Sequence, residues 1–216
     1  MTHKRTKQEL ARHEAAHFVV AWATHRPDPY VDISSAVQDA GDGTEGRTFG
    51  SIYNELIPFE NILVSLAGPA ADYWEQDISH LIKGNKHHID STLEDIAEKL
   101  PLLDGTDWDG CLHGMKRYGI NVLDSKTLND ALAIFIDAVR SLLNMCKTEW
   151  QETTDFLIEH ERIGWNGEHF DYGEEAATFF ARWGDDWGDP PEAVESCVEK
   201  WRAAIQASPL ISCSTP

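Results

Sequence analysis

The residues of this chain best suited to chemistry are the two histidines and the glutamate of the segment HEAAH. They are His13, Glu14 and His17, and they match the pattern H-E-x-x-H. Residues four apart lie one turn above each other on the same face of a helix, so both imidazoles can bind one metal ion from one side. Glu14 lies between them and can accept a proton from water. The pattern therefore predicts zinc ligands at His13 and His17 and a catalytic general base at Glu14.

The surroundings of the motif favour a helix. Thr6-Lys7-Gln8-Glu9 has the S/T-x-x-E form of a capping box, which predicts a helix that begins at Thr6 and runs to about Ala23. Pro27 and Pro29 prevent its continuation. The alternative to a metal site is an exposed helix that happens to carry two histidines and a glutamate at turn spacing.

A catalytic zinc site needs a third protein ligand and an open fourth position. The extended pattern H-E-x-x-H-x-x-G-x-x-H does not supply it, because Val20 and Ala23 occupy the positions of its Gly and its third His. His25 comes two residues too late. The third ligand must therefore come from further along the chain.

Two short segments downstream of the motif are predicted to be strands. Tyr30–Ser34 alternates apolar and polar residues, Phe49–Tyr53 resembles a second strand, and the glycine-rich and acidic loop Asp39–Arg47 separates them. They predict a β-hairpin or a small sheet. This sheet either aligns an extended substrate along its edge or serves only to cover the motif helix.

The rest of the chain is predicted to be helical, which makes the fold mainly α with a small β-hairpin or sheet. We expect a metallopeptidase-like domain over residues 1–170 and a C-terminal helical extension over residues 171–216. The predicted segments are a mostly buried helix Glu60–Glu75, interrupted or kinked at Gly68-Pro69; an amphipathic helix from Ile89 to Leu100; a turn Asp104–Gly110, followed by a short helical pattern from Trp108 to Tyr118; one long helix or two in succession over Leu128–Glu159; and a last helix started by Pro190-Pro191.

The composition argues against two classes of partner. A net charge of -19 repels phosphate backbones and anionic lipids, so we expect neither nucleic acid nor membrane as a partner.

No secretory signal and no apolar stretch of membrane-spanning length occurs. The four cysteines are widely spaced without a C-x-x-C pair, which is typical of free thiols in a reducing compartment. We therefore expect a cytoplasmic location.

The motif helix HEAAHFVVAWA, followed by a short β segment and then SLAGPAADYW, resembles the peptidase domain of the FtsH-type ATP-dependent proteases, particularly their small stand-alone relatives. The family's H-E-x-G-H corresponds to His13–His17, with Ala16 in place of Gly. Its L-x-G-x-A-A-E element corresponds to Leu66–Asp72, with Asp72 in place of Glu. The resemblance covers residues 6–170, and it is strongest at the motif helix.

This resemblance implies a zincin-like helical domain and a zinc-dependent metalloendopeptidase that hydrolyses peptide bonds with metal-activated water. The chain carries no ATPase module, so we expect an ATP-independent enzyme whose substrates are peptides or proteins already unfolded. Homo-oligomerisation is left open. The alternative function is that of a catalytically inactive binding or regulatory protein with the peptidase fold, and a weaker one is a helical interaction protein without a metal.

The resemblance further implies that the third zinc ligand is an Asp at the start of a later helix. Asp107 is preferred, because it follows a Gly-Thr turn and opens a helical pattern whose face carries the small residues Cys111 and Gly114. Asp90 is the next choice, since it follows the Leu66–Asp72 element at near the family spacing. For either Asp the plain alternative is a helix N-cap. The remaining candidates are Glu75, His87 and His88.

Overall fold

The protein is described by a computed structural model that covers residues 5–25, 30–34, 47–49, 58–72, 74, 105–163 and 189–210. Within these ranges the fold is mainly helical, with one small antiparallel sheet, as predicted. The elements are α1 (Lys7–Ala23), β1 (Tyr30–Asp32), β2 (Arg47–Phe49), α2 (Pro58–Asp72), α3 (Gly105–Arg117), α4 (Ser125–Met145), α5 (Lys147–His160), β3 (Arg162–Ile163) and α6 (Glu192–Gln206).

Helix α1 lies at the centre of the described part of the molecule. The predicted capping box is confirmed, because the Thr6 hydroxyl accepts from the Glu9 N–H and the Glu9 carboxylate accepts from the Thr6 N–H. From Leu10 onward every residue of the helix except Arg12 is buried. The helix packs against α2, α4, α5 and the sheet, so its two histidines are held inside the protein.

Helix α2 begins at Pro58, two residues before the predicted start, and ends at Asp72. It continues through Pro69, so of the two predicted alternatives at Gly68-Pro69 the interruption is wrong and the kink stays a prediction. A proline inside a helix removes one backbone hydrogen bond, but α2 is buried from Leu66 to Ala71 between its neighbours. Tertiary packing of this kind maintains helices whose local propensity is poor.

Helix α3 begins at Gly105, so the predicted turn over Asp104–Gly110 is wrong. Gly110, which ends the predicted turn, and Gly114 one turn later instead allow α3 to approach α2 closely. A Cβ at Gly114 would come within 2.7 Å of Ile62 Cγ1, and one at Gly110 would collide with the Ser65 hydroxyl. This close approach brings the first turn of α3 next to α1.

The segment Leu128–Glu159 forms two successive helices, α4 and α5, which confirms one of the two predicted alternatives. Cys146 separates them. Helix α5 is fastened to α1 by Trp150, whose indole N–H donates to the Arg12 carbonyl at 3.0 Å. Trp74, just beyond the end of α2, packs edge-on against the same indole. Trp150 therefore ties α1 and the end of α2 to α5.

The predicted small sheet is confirmed, with three strands in the order β2-β1-β3. Strand β2 pairs antiparallel with β1, with Tyr30 opposite Phe49, and it begins two residues before its predicted start. Strand β3 was not predicted, because two residues are too few to show a period. An ion pair between Arg162 of β3 and the buried Asp32 of β1 supports the pairing.

Helix α6 begins just after Pro190-Pro191, as predicted, and packs against α4 and α1. Its Arg202 pairs with the buried carboxylate of Glu60 and lies over the Phe59 ring at 4.8 Å. The described part of the C-terminal extension thus contacts the main body. The predicted boundary at residue 170 and the predicted helix from Ile89 to Leu100 lie outside the described residues.

None of the helices in the described ranges combines the length and the apolar character that crossing a membrane requires.

Candidate metal centre

The two histidines of the motif point at each other from successive turns of α1. The Nε2 atoms of His13 and His17 are 3.2 Å apart, and the two residues are only 3% and 5% exposed. At this distance the two buried ring nitrogens either share a proton between them or bind a common partner at the point where they meet. The helical spacing therefore produces the convergence that the sequence predicts.

The opposite nitrogen of each ring is held by α2. His17 Nδ1 donates to the Val64 carbonyl at 2.6 Å, and His13 Nδ1 donates to Asp72 Oδ2 at 2.9 Å. A carbonyl oxygen only accepts, so the proton of the neutral His17 imidazole must be on Nδ1. These partners fix both ring orientations and leave both Nε2 atoms directed at the common point.

Asp107, in the first turn of α3, completes the group. Its Oδ2 lies 3.4 Å from His13 Nε2 and its Oδ1 lies 3.3 Å from His17 Nε2, with only 13% of its side chain exposed. Ligands about 2.0–2.1 Å from a tetrahedral ion are about 3.3 Å from one another. The two Nε2 atoms, 3.2 Å apart, match this spacing, and each of them faces a different oxygen of Asp107, at 3.4 Å and 3.3 Å. With one ligand atom taken from each residue, the three atoms lie within 4.8 Å of one another.

The electrostatics of the group favour a cation. Burial lowers the pKa of His13, but hydrogen bonds with Asp107 and Asp72 outweigh it and raise this pKa to about 10. The pKa of His17 is also raised, since the attraction of Asp107 outweighs the effect of burial. Burial would raise the pKa of the Asp107 carboxyl, but the two histidines hold it well below its usual range. The point where the three side chains meet therefore stabilises positive charge.

Gly68 of α2 leaves the space that an ion needs. A Cβ added at this position would overlap the Nε2 atoms of both His13 and His17. Only glycine, which has no side chain, allows α2 to pass this close to the two ligand atoms. The geometry, the donor set and this free space together fit a divalent metal ion.

The structure brings together three of the predicted site residues, namely His13, His17 and Asp107, and within the described ranges they form the group that could hold a metal ion. Glu14 follows His13 in α1 and is buried; its charge contributes to the raised pKa of His17. The alternatives Asp90, Glu75, His87 and His88 lie outside the described residues. His25, half exposed, pairs with Glu195 instead.

Sequence reasoning assigned no role to Asp72 or Gly68, although both belong to the Leu66–Asp72 element. The signal available was their position in that element, which the resemblance singled out. What the sequence could not show is that one of them bonds to His13 and the other lies against both imidazoles.

Comparisons of this chain with protein-family models, with curated proteins and with solved structures gave no match.

Proposed function

We propose that this chain is a zinc-dependent metallopeptidase that hydrolyses peptide bonds with metal-activated water. The observation that carries the proposal is the convergence of His13 Nε2, His17 Nε2 and the Asp107 carboxylate, whose ligand atoms lie within 4.8 Å of one another. Glu14 directly follows the first of these ligands in the H-E-x-x-H pattern.

Each residue has a defined task in this proposal. His13, His17 and Asp107 would hold the ion. A zinc ion held there would lower the pKa of a water molecule towards neutrality and polarise the substrate carbonyl. Glu14 accepts a proton from the attacking water and delivers it to the leaving amine.

Zinc is favoured among metals by the motif rather than by the donor set alone. Two histidines and one carboxylate also suit ferrous iron in oxygen-activating enzymes. A glutamate placed between two histidines of one helix turn supplies the base that hydrolysis requires, and iron oxygenation has no need of it. Metal analysis of the purified protein distinguishes zinc from iron.

The proposed fold assignment is a zincin-like domain of the FtsH type. Its support is the sequence element Leu66–Asp72, since Gly68 and Asp72 of that element both lie at the metal centre. Strands β1 and β2 contact α1, and a sheet next to the motif helix can align an extended peptide by backbone hydrogen bonds. The proposed substrates are therefore peptides or unfolded proteins, cleaved without ATP.

The spacing of the cysteines supports the proposed cytoplasmic location, and Cys111, Cys146 and Cys197 are all free thiols.

The experiment combines metal analysis with cleavage of a peptide library by three proteins. They are the wild type, Glu14→Gln, which keeps the shape of the side chain but cannot accept a proton, and Glu159→Gln as a matched control. Glu159 carries the same carboxylate on the exposed surface of α5, with 78% of its side chain accessible. We expect stoichiometric zinc in all three and loss of cleavage in Glu14→Gln alone.

The possible results separate the candidate functions. Full zinc occupancy with no cleavage by the wild type would favour the catalytically inactive binding or regulatory protein. Cleavage that persists in Glu14→Gln would remove Glu14 from its assigned role. A wild type that binds no metal would refute the proposal as a whole.

A further inference from the structure

Arg5 lies just before α1 and reaches the far end of α2. Its Nη2 is 2.8 Å and its Nε 3.3 Å from Asp72 Oδ2. Only 23% of the Arg5 side chain and 22% of the Asp72 side chain is exposed. The capping box at Thr6 fixes the start of α1, so the guanidinium approaches Asp72 from a defined position.

The oxygen that Arg5 contacts is the same one that holds the metal ligand His13. Asp72 Oδ2 accepts from His13 Nδ1 at 2.9 Å as well as from the guanidinium. Asp72 is the last residue of α2, where the helix no longer constrains the side chain on both sides. A second partner on Oδ2 therefore restricts the rotation of the carboxylate that orients the His13 ring.

We propose that Arg5 is a positioning residue that sets the metal affinity of the site by clamping Asp72 against His13. The inference rests on the proposed metal centre and adds a residue to it that the motif does not contain. Groups that hydrogen-bond a ligating histidine fix its ring and raise metal affinity, typically by about 10- to 100-fold. Arg5 acts one bond further away and contributes a smaller factor.

Two effects of Arg5 oppose each other. Its positive charge repels a divalent ion, whereas its hydrogen bonds hold Asp72 in the orientation that His13 needs. The charge is offset by the adjacent Asp72 carboxylate and is separated from the ion by the width of the imidazole. Orientation therefore dominates, and removal of Arg5 weakens metal binding.

The test measures the zinc affinity of the full chain by competition with a chromophoric chelator. We expect Arg5→Gln to weaken zinc binding by about three- to tenfold, below the factor typical of a direct partner of a metal ligand. Arg5→Lys, which keeps a donor and the charge, should recover part of the loss. Lys7→Gln is the matched control, because it removes the same charge at the same end of α1 from an ion pair with Glu161, and it should leave the affinity unchanged.

A second comparison shows whether Arg5 acts through Asp72. In an Asp72→Asn background, Arg5→Gln should have no further effect on zinc affinity. Unchanged or tighter zinc binding by Arg5→Gln would overturn the inference, and so would an equal loss in Lys7→Gln. These results leave the proposed function intact, whereas a wild type that binds no zinc refutes the proposed function itself. Thermal unfolding of the metal-free variants shows that the fold is retained.

Discussion

Gly68→Ala should remove metal binding while the fold survives. The added Cβ would overlap the Nε2 atoms of both His13 and His17. Ordinary carbon contacts are about 3.5–4.0 Å long, so the two rings would have to retreat by about 1 Å. Metal–ligand distances tolerate deviations of only about 0.2 Å. A displacement roughly five times larger than this tolerance removes at least one ligand from the ion.

The expected effects on affinity and on stability differ in size. We expect zinc affinity to fall by at least about 100-fold, because the change displaces the ligands themselves rather than their partners. Overpacking lowers the free energy of unfolding by about 1–3 kcal/mol, and alanine in place of a mid-helix glycine raises it by about 0.5–1 kcal/mol. The net loss of at most about 2.5 kcal/mol lowers the melting temperature of a chain of this size by no more than about 10 °C.

The assay measures zinc content after reconstitution and the melting temperature with and without zinc. Zinc at about 100 times its Kd stabilises a binding-competent protein by about 2.7 kcal/mol, a rise of roughly 5 to 11 °C. The wild type should show this rise and Gly68→Ala should not. Gly110→Ala is the control, because its Cβ meets the Ser65 hydroxyl, which can rotate away without disturbing either histidine.

Stoichiometric zinc in Gly68→Ala, with the affinity of the wild type, would refute the position assigned to the ion. Loss of zinc from Gly110→Ala to the same extent would show instead that any disturbance of α2 abolishes binding.

The remaining predictions concern the third ligand, the pH dependence and the C-terminal helix. Asp107→Asn should abolish zinc binding, whereas Asp90→Asn should retain it; the opposite result in metal analysis would reassign the third ligand. In the metal-free protein the pKa of His13 is raised from 6.5 to about 10, so its stabilising contribution is complete below pH 6.5 and is lost as the pH rises towards 10. Zinc needs unprotonated imidazoles, so zinc should bind more tightly as the pH rises over the same range. The free energy of unfolding, measured in denaturant, should therefore follow diverging pH profiles in the metal-free and zinc-bound forms. Parallel profiles would contradict this prediction. Arg202→Ala should destabilise the protein by about 3 kcal/mol in denaturant titrations, because it leaves the buried Glu60 carboxylate without its partner; a change below about 0.5 kcal/mol would show that α6 contributes little.

Local patterns were sufficient to predict the motif helix and most of the other described elements. The capping box defined the start of α1 because its hydrogen bonds join residues three apart. The two histidines face the same side for a similar reason, since helical geometry alone determines the direction of residues four apart. The start of α6 after Pro190-Pro191 follows from the fixed backbone angle of proline.

Glycine and proline were misleading where packing overrode their local preference. Gly105 and Gly110 suggested a turn, yet both lie in α3, and Gly110 lies where α3 approaches α2. Pro69 suggested an interruption or a kink, and α2 continues through it without interruption. In both cases the energy of burial between helices exceeds the local conformational preference, and the sequence alone does not show which residues will be buried.

The sequence by itself determined that two imidazoles and a carboxylate share one turn of a helix, because that relation depends on spacing along a single element. Only the tertiary structure decided what surrounds them. The approach of Asp107 to both rings, the bond from His13 to Asp72 and the free space at Gly68 join α1 to residues about 50 to 90 positions away. Contacts over such separations depend on how three helices pack together, and packing arises from the whole set of buried side chains rather than from any local pattern.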